Sequence, residues 1–543
     1  MLARSHQIGV VGIRRRWRRQ ARTRLVGGCA STRQSSRTGR SFPTWPHASR
    51  RGQEEVDTLT TKSFHGQAIR GQEAVLRSPL FEGRFGRIFR NLPPFLPPGS
   101  ALAALAQQMV EPEPQPGVED EAGDNPDIPA GFTYFGQFID HDLTFDPTSK
   151  LQRDNDPDAL VDFRTPRFDL DSIYGRGPDD QPFLYEPDSL HFLIGHNAAN
   201  EDDLPRNANG RAFLGDGRND ENLIVSELTL GFLKYHNRVV DAIAHVPEDM
   251  RFDEARRIVR WHFQWAVIHD FLVRLVGREV IRDILRPDTF AIPTEQGTKT
   301  AKTLRVDLRF FHWHNRVFMP VEFSVGAYRF GHSMVRGEYE LNEAVQDIPI
   351  FAKAPEPDLR GFRELPAGHV IQWARFFEFA GANLETQPSR RIDTNLAFGL
   401  SVLPESVAKG IGALAERDLK RGKALGLPSG QAIARAMGIP EELILQGDAL
   451  KPLPPDLIKA FGRDTPLFFY VLKEAEVLSK GKKLGPVGGR IVAEVILGLI
   501  RGDPSSFLSV QPMWQPKAGQ FGAPKDGEFS VADLLRFAQV TIS

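Results

Sequence analysis

With one cysteine in 543 residues, Cys29, the chain excludes an internal disulfide, a thiolate metal cage and an iron–sulfur cluster with four cysteine ligands. Long apolar runs are missing as well. The longest, Ile491 to Ile500, falls well short of the roughly 20 residues that cross a bilayer, so the chain reads as soluble with no membrane span. Net charge is nearly absent: a formal −1 argues against a nucleic-acid partner, which would show as a basic excess. What is present, 41% hydrophobic and 25% charged residues, is ordinary globular composition and enough to bury a large core.

The charge balance conceals a polarised start. Residues 1–51 hold thirteen arginines and no acidic residue, and the first carboxylate is Glu54. An organelle transit peptide, a twin-arginine export signal and a solvated tail all have this composition. The export reading needs an apolar run after Arg14-Arg15-Arg16-Trp17-Arg18-Arg19, and the following Gln-Ala-Arg-Thr-Arg-Leu-Val-Gly-Gly does not supply one. Residues 1–60 are therefore expected to be a disordered Arg/Ser-rich tail. Location stays open between the cytoplasm and export without a recognisable signal peptide. Residues 111–128, acidic and proline-rich, read as a loop unable to pack a core.

Past residue 60 the pattern is mainly helical with long loops, which predicts one large α domain over 61–543 with little β structure. Leu223, Leu230 and Leu233, then Ile258, Trp261, Trp265 and Ile268, recur at three- and four-residue spacing and predict buried helices over 221–246 and 252–276. Segments 331–351, 370–380, 430–447 and 486–501 carry a similar pattern, and Pro or Gly clusters at 92–99, 175–188 and 426–430 mark breaks.

Four separated segments carry chemistry. In the first, Gln137, Asp140, His141 and Asp142 lie on a predicted helix; at about 100° per residue Gln137 and His141 share a face while Asp142 points elsewhere. Alone, this is equally a metal-dependent phosphohydrolase dyad or a hydrogen-bonded core histidine. In the second, Thr165, Arg167, Asp169 and Asp171 alternate, so an extended loop would bring hydroxyl, carbonyl and carboxylate oxygens to one side, the ligand set Ca²⁺ prefers. Asp142 is the natural additional donor, and a solvated turn is the plainer alternative. The third, Gly-Asp-Gly-Arg218-Asn-Asp-Glu221-Asn222, delivers an arginine and a glutamate to one face at the start of a long helix, where Asp220 and Glu221 also suit the helix dipole. The fourth sets His332 after Gly331 in an aromatic run, either a core histidine or a metal ligand with room for something flat beside it.

Together these segments closely resemble the animal-type haem peroxidases of the peroxidase-cyclooxygenase superfamily, in the bacterial and peroxinectin-like branch, from about residue 64 to 540. The matching motifs include Gly-Arg-Phe-Gly-Arg (83–87), Gly-Gln-Phe-Ile-Asp-His-Asp, Asp-Leu-Asp-Ser-Ile-Tyr-Gly, Gly-Asp-Gly-Arg-Asn-Asp-Glu-Asn, Tyr-Arg-Phe-Gly-His-Ser, Gly-Leu-Pro-Ser-Gly-Gln (426–431) and Leu-Gly-Pro-Val-Gly-Gly-Arg (484–490). The resemblance implies haem b with His332 as proximal iron ligand, His141 as distal histidine with Gln137 beside it, and Arg218 as distal arginine. It implies a calcium site from Asp142, Thr165, Arg167, Asp169 and Asp171, and ester links from Asp140 and Glu221 to the haem. It also implies reduction of hydrogen peroxide and oxidation of small organic or (pseudo)halide donors through a ferryl porphyrin radical.

Departures from the family pattern are equally informative. Asn222 stands where chlorinating mammalian relatives carry a methionine that forms a sulfonium link, which argues against efficient chloride oxidation. Asp418 aligns with the asparagine that bonds the far nitrogen of the proximal histidine, and a carboxylate there would lower the iron reduction potential. Arg329 replaces the radical-forming tyrosine of the related fatty-acid dioxygenases and suits a haem propionate. Phe311-His312-Trp313-His314 resembles the oxygenase Tyr-His-Trp-His run but begins with phenylalanine. The rival readings are thus a fatty-acid dioxygenase with His314 as ligand, a calcium-binding adhesion protein on an idle peroxidase scaffold, and a phosphohydrolase drawing on His236 and His269.

Overall fold

The computed structural model describes residues 83–113, 121–145, 162, 164–294, 297–314, 316–352, 356–405, 407–408 and 410–543; the tail 1–60 and residues 114–120 of the acidic stretch lie outside the described residues. Helices dominate. Among the described residues five α-helices precede residue 267: α1 (Gly99–Gln107), α2 (Gly131–Leu143), α3 (Asp171–Tyr174), α4 (Leu223–Ala242) and α5 (Glu248–Ala266). Among the described residues no helix is long and apolar enough to cross a membrane.

The centre is set by α2, whose sequence spaces Phe132, Phe135, Phe138 and Ile139 so that three- and four-residue steps form a fully buried stripe. Phe138 stacks on Phe232 of α4 with ring centroids 4.5 Å apart, and Phe135 meets Phe271 edge-on at 5.6 Å. Truncating either ring to alanine would cost about 3–5 kcal/mol through lost burial and the cavity left behind. Gly131 opens α2 because nothing larger fits: a Cβ there would lie 2.5 Å from the Phe376 carbonyl oxygen. Helix α4 begins where Asn222 Oδ1 accepts from Val225 N at 2.9 Å, so the cap predicted from Asp220 and Glu221 is the next residue instead.

Several expectations change. Residues 124–129 of the stretch read as a loop form a strand that pairs with Pro388–Arg390. Ile128 and Asn125 are fully buried there, the latter donating to the Gly481 and Lys482 carbonyls. Leu285–Thr294 and Gly297–Val306 make an antiparallel hairpin, which alternating β-branched Thr298 and Thr300 favour but helical periodicity hides. Segment 331–351 is helical only to Met334; beyond it Glu338–Tyr339 pairs with Ile348–Pro349 across a turn in which Asp347 adopts φ 52°. Segment 370–380 holds one short turn, Trp373–Arg375, because the Trp373 and Ala374 amides bond to the Thr541 and Ile542 carbonyls rather than to a helix. The helix over Gly430–Ala436 is ended by Gly438 at φ 74°, whereas Pro486–Gly502 runs the predicted length.

Candidate active site

The last turns of α2 carry Gln137, Asp140, His141 and Asp142. His141 is buried: its Nδ1 lies 2.8 Å from Asn219 Oδ1 and its Nε2 lies 3.1 Å from Glu221 Oε1. The Asn219 oxygen accepts, so Nδ1 carries a hydrogen and Nε2 is the nitrogen that faces Glu221. Gln137 Nε2 donates to the same Glu221 oxygen, while Gln137 Oε1 accepts from Asn222 Nδ2 at 2.9 Å. Asp140 Oδ1 accepts from Thr144 Oγ1 at 3.0 Å.

Arg218 sits in the short turn Gly217–Asp220, which Asp216 caps by accepting from the Arg218 backbone N–H at 2.9 Å. The Asp216 carboxylate also takes Arg218 Nη2 at 2.8 Å and Arg164 Nη2 at 2.6 Å. Burial would raise the Asp216 pKa, but Arg164 and Arg218 override it and hold the carboxyl far below its usual range. Arg218 Nη2 additionally donates to the His141 backbone carbonyl at 3.0 Å, which ties the guanidinium to the end of α2 that carries the histidine. The guanidinium also lies over the Phe145 ring at 4.7 Å. Burial opposes the arginine charge, yet the anion beside it raises its pKa further.

His332 lies in the 3₁₀ segment Ala327–Met334, and its Nδ1 meets Asp418 Oδ2 at 2.6 Å across 86 residues of sequence. That contact leaves Nε2 as the nitrogen free for a metal. A Cβ built on Gly331 would touch nothing within 4 Å, so open space adjoins the histidine. This segment packs directly on α2: Tyr328 Oη donates to the Gly136 carbonyl at 3.1 Å and Thr133 Oγ1 to the Met334 carbonyl at 3.2 Å. Arg329 Nε donates to the Ser324 carbonyl at 2.8 Å. An imidazole fixed by a carboxylate, beside a helix bearing a histidine tied to an arginine, is a donor set that fits a haem iron. His312 and His314 are exposed, as a site ligand would not be.

On the other side of α2, Asp142, Asp169 and Asp171 bring carboxylate oxygens within 4.8 Å of one another. Asp142 is fully buried and accepts from the Leu170 and Ser172 amides at 3.1 and 3.3 Å, which folds the loop over it. Leu170 takes φ 60° to make that turn. Thr165 Oγ1 donates to Asp169 Oδ2 at 3.2 Å, and the Arg167 amide donates to the Thr165 carbonyl at 2.7 Å. Burial raises all three carboxyls, Asp171 to about 7, with repulsion from Asp171 and Asp169 adding at Asp142, from Asp169 at Asp171 and from Asp503 at Asp169, so the cluster is short of positive charge despite Arg164 at 3.1 Å from Asp171. A divalent cation would supply it.

The structure therefore brings Gln137, His141, Arg218 and Glu221 to one place, packs His332 with Asp418 on the neighbouring segment, and gathers Asp142, Asp169 and Asp171 behind. Sequence reasoning assigned no role to Asp216 or Asn219, although both stand in the quoted glycine-rich turn. It also passed over Asp162, whose Oδ1 accepts from the Phe145 and Arg164 amides.

The family model described as animal haem peroxidase matches residues 152–442, a stretch that includes Arg218, Glu221, His332 and Asp418 and begins after His141. The chain is 27% identical over 237 residues to the chorion peroxidase of Drosophila melanogaster, covering 42% of this chain and 26% of that protein. It thus spans about a quarter of the length of that relative. Its fold is similar to peroxidase A from Dictyostelium discoideum, with TM-score 0.58 and 14% identity over 90% of this chain and 98% of that one. It is also similar to a fatty acid alpha-dioxygenase of Arabidopsis thaliana, with TM-score 0.52 and 15% identity over 85% of this chain and 76% of that one.

Proposed function

The chain belongs to the animal haem peroxidase family, and from that premise we propose that it reduces hydrogen peroxide while oxidising small organic or (pseudo)halide donors. The observation that carries this reading is the juxtaposition of His141 on α2 with Arg218 of the 217–220 turn, and of His332 with Asp418 where the His332 segment packs on α2. Haem, when bound, supplies the redox chemistry.

The side chains supply the rest. His332 Nε2 is the iron ligand, and Asp418 holds the ring in the tautomer that leaves this nitrogen free while raising its basicity. With haem bound, His141 Nε2, which faces Glu221 Oε1 at 3.1 Å, would be the group that accepts and returns a proton of the peroxide. Arg218, kept cationic and held in place by Asp216, would supply a fixed positive charge for negative charge on a bound oxygen species. Gln137, oriented by Asn222 and Glu221, positions the peroxide or a water. Asp140 and Glu221 are the carboxylates for ester links to haem, and Arg329 the partner for a propionate. Asp142, Asp169 and Asp171, with Thr165 and the Arg167 carbonyl, hold Ca²⁺.

Asn222 has two local tasks, capping α4 and holding Gln137, which supports donors easier to oxidise than chloride. The fold likeness to a dioxygenase keeps fatty-acid oxygenation as a second reading, and the exposure of His314 and the arginine at 329 weigh against it. The test is an absorption spectrum of the haem-supplemented protein before and after hydrogen peroxide. A Soret band that shifts with peroxide, is lost in His332→Ala and kept in His314→Ala, is expected; His141→Ala should slow the shift by about 10²–10⁴-fold. No band, or no response to peroxide, would overturn the proposal.

A further inference from the structure

Tyr174 ends α3, fully buried, and its hydroxyl lies 2.9 Å from His236 Nδ1 on α4. The other ring nitrogen fixes the proton count: His236 Nε2 lies 2.9 Å from the Leu190 carbonyl, which only accepts, so Nε2 carries the hydrogen and Nδ1 presents a lone pair. Tyr174 O–H therefore donates to a base. Burial lowers the His236 pKa to about 4, so the imidazole is neutral and available near pH 7.

This pairing sets Tyr174 apart from Tyr134, Tyr185, Tyr235, Tyr328 and Tyr339. Tyr185, Tyr235 and Tyr328 donate to backbone carbonyls, which cannot take a proton, and Tyr134 and Tyr339 bond to each other. Among the described residues, Tyr174 is the tyrosine whose hydroxyl meets a side-chain nitrogen.

The pair is also wired to the active site. Ser172, two residues before Tyr174, donates its amide to Asp142 Oδ1 at 3.3 Å, and Asp142 directly follows His141. His236 lies one helical turn beyond Phe232, which stacks at 4.5 Å on Phe138, the neighbour of Gln137. On its far side Tyr174 packs on Phe192 at 5.2 Å, and Phe192 stacks on Tyr185 at 4.8 Å.

We propose that Tyr174 and His236 form a redox-active tyrosine site that stores one oxidising equivalent inside the protein. The inference rests on the peroxidase reading for its oxidant, a one-electron acceptor generated from hydrogen peroxide at the haem. Tyr174 gives up one electron to that acceptor; its O–H bond breaks, an N–H bond forms at His236 Nδ1, and a neutral tyrosyl radical beside an imidazolium remains. The Asp188 carboxylate favours that imidazolium, while Arg256 and His191 oppose it. A one-electron donor of the phenol class then returns the electron, and the proton goes back to oxygen. Burial on all sides keeps the radical from solvent and from coupling with a second one.

The test is freeze-quench electron paramagnetic resonance on the full, haem-loaded chain mixed with hydrogen peroxide, with peroxide consumption followed in parallel. A tyrosyl signal coupled to a histidine nitrogen, altered by ¹⁵N-histidine labelling, is expected in the wild type. Tyr174→Phe should reduce that signal at least tenfold with the Soret band and peroxide consumption unchanged, and His236→Gln should slow its appearance at least tenfold. Tyr185→Phe should leave it intact. An equal signal in Tyr174→Phe, or no tyrosyl signal while peroxide is consumed, overturns the proposal and leaves the peroxidase reading standing. If peroxide is not consumed, that reading fails on its own, and a ruthenium photo-oxidant with persulfate replaces peroxide; a radical insensitive to Tyr174→Phe then overturns the inference as well.

Discussion

Replacing Asp216 with asparagine isolates a charge without removing a shape. The asparagine oxygen can still cap the 217–220 turn by accepting from the Arg218 amide, as Asp216 does at 2.9 Å. What disappears is the anion shared by two buried guanidiniums, Arg218 Nη2 at 2.8 Å and Arg164 Nη2 at 2.6 Å. At an effective dielectric of about 20, each contact corresponds to a gross attraction of about 6 kcal/mol, much of it cancelled by desolvation. Stranding a buried cation is the larger consequence, and costs about 3–5 kcal/mol. Because the folded carboxyl sits far below its unfolded value, the stability it contributes is complete above about pH 4 and fades as pH falls through the unfolded pKa toward the folded one. Urea denaturation followed by tryptophan fluorescence at fixed calcium should therefore show Asp216→Asn about 3–5 kcal/mol less stable at pH 7, with the gap shrinking below pH 4. A gap under about 1 kcal/mol at pH 7, or one that persists unchanged to pH 3, would refute the view that this carboxylate holds Arg218 in place.

Asp418→Asn should raise the reduction potential of bound haem, measured by spectroelectrochemistry, since a neutral partner makes His332 a poorer donor; no upward shift would count against the assignment. Removing calcium with a chelator should lower stability by about 2.7 kcal/mol relative to protein held at 100 times its dissociation constant, and should disturb the haem spectrum because α2 carries both sites. An unchanged spectrum in demonstrably calcium-free protein would break that link. Glu474, buried against the Val487 and Gly488 amides, is pushed up by burial to about 7, so the stability it confers when protonated is lost as pH rises from about 4.5 toward 7. Glu474→Gln should gain about 2–3 kcal/mol on wild type between pH 5 and pH 8 in denaturant titrations, and a flat difference would show that the carboxyl titrates normally.

The sequence by itself determined the local elements and the short-range motifs. The stripe of Phe132, Phe135, Phe138 and Ile139, the periodicity of α4 and α5, and the proline-started helix Pro486–Gly502 follow from spacing that the backbone reads within a few turns. The glycine-rich turn with Arg218, the alternating Asp169 and Asp171, and His332 after Gly331 were legible as chemistry for the same reason. Helical pattern failed where partners come from far away. Residues 370–380 give their amides to residues 541–542, and 338–339 pair with 348–349. The tertiary structure alone decided that Asp216 clamps Arg218 and Arg164, that Asn219 and Glu221 share His141, and that Tyr174 finds a base on a helix 62 residues away. Hydrogen bonds and ion pairs of this kind act over about 3 Å in space and carry no periodicity along the chain, so only the packed fold specifies which polar groups meet.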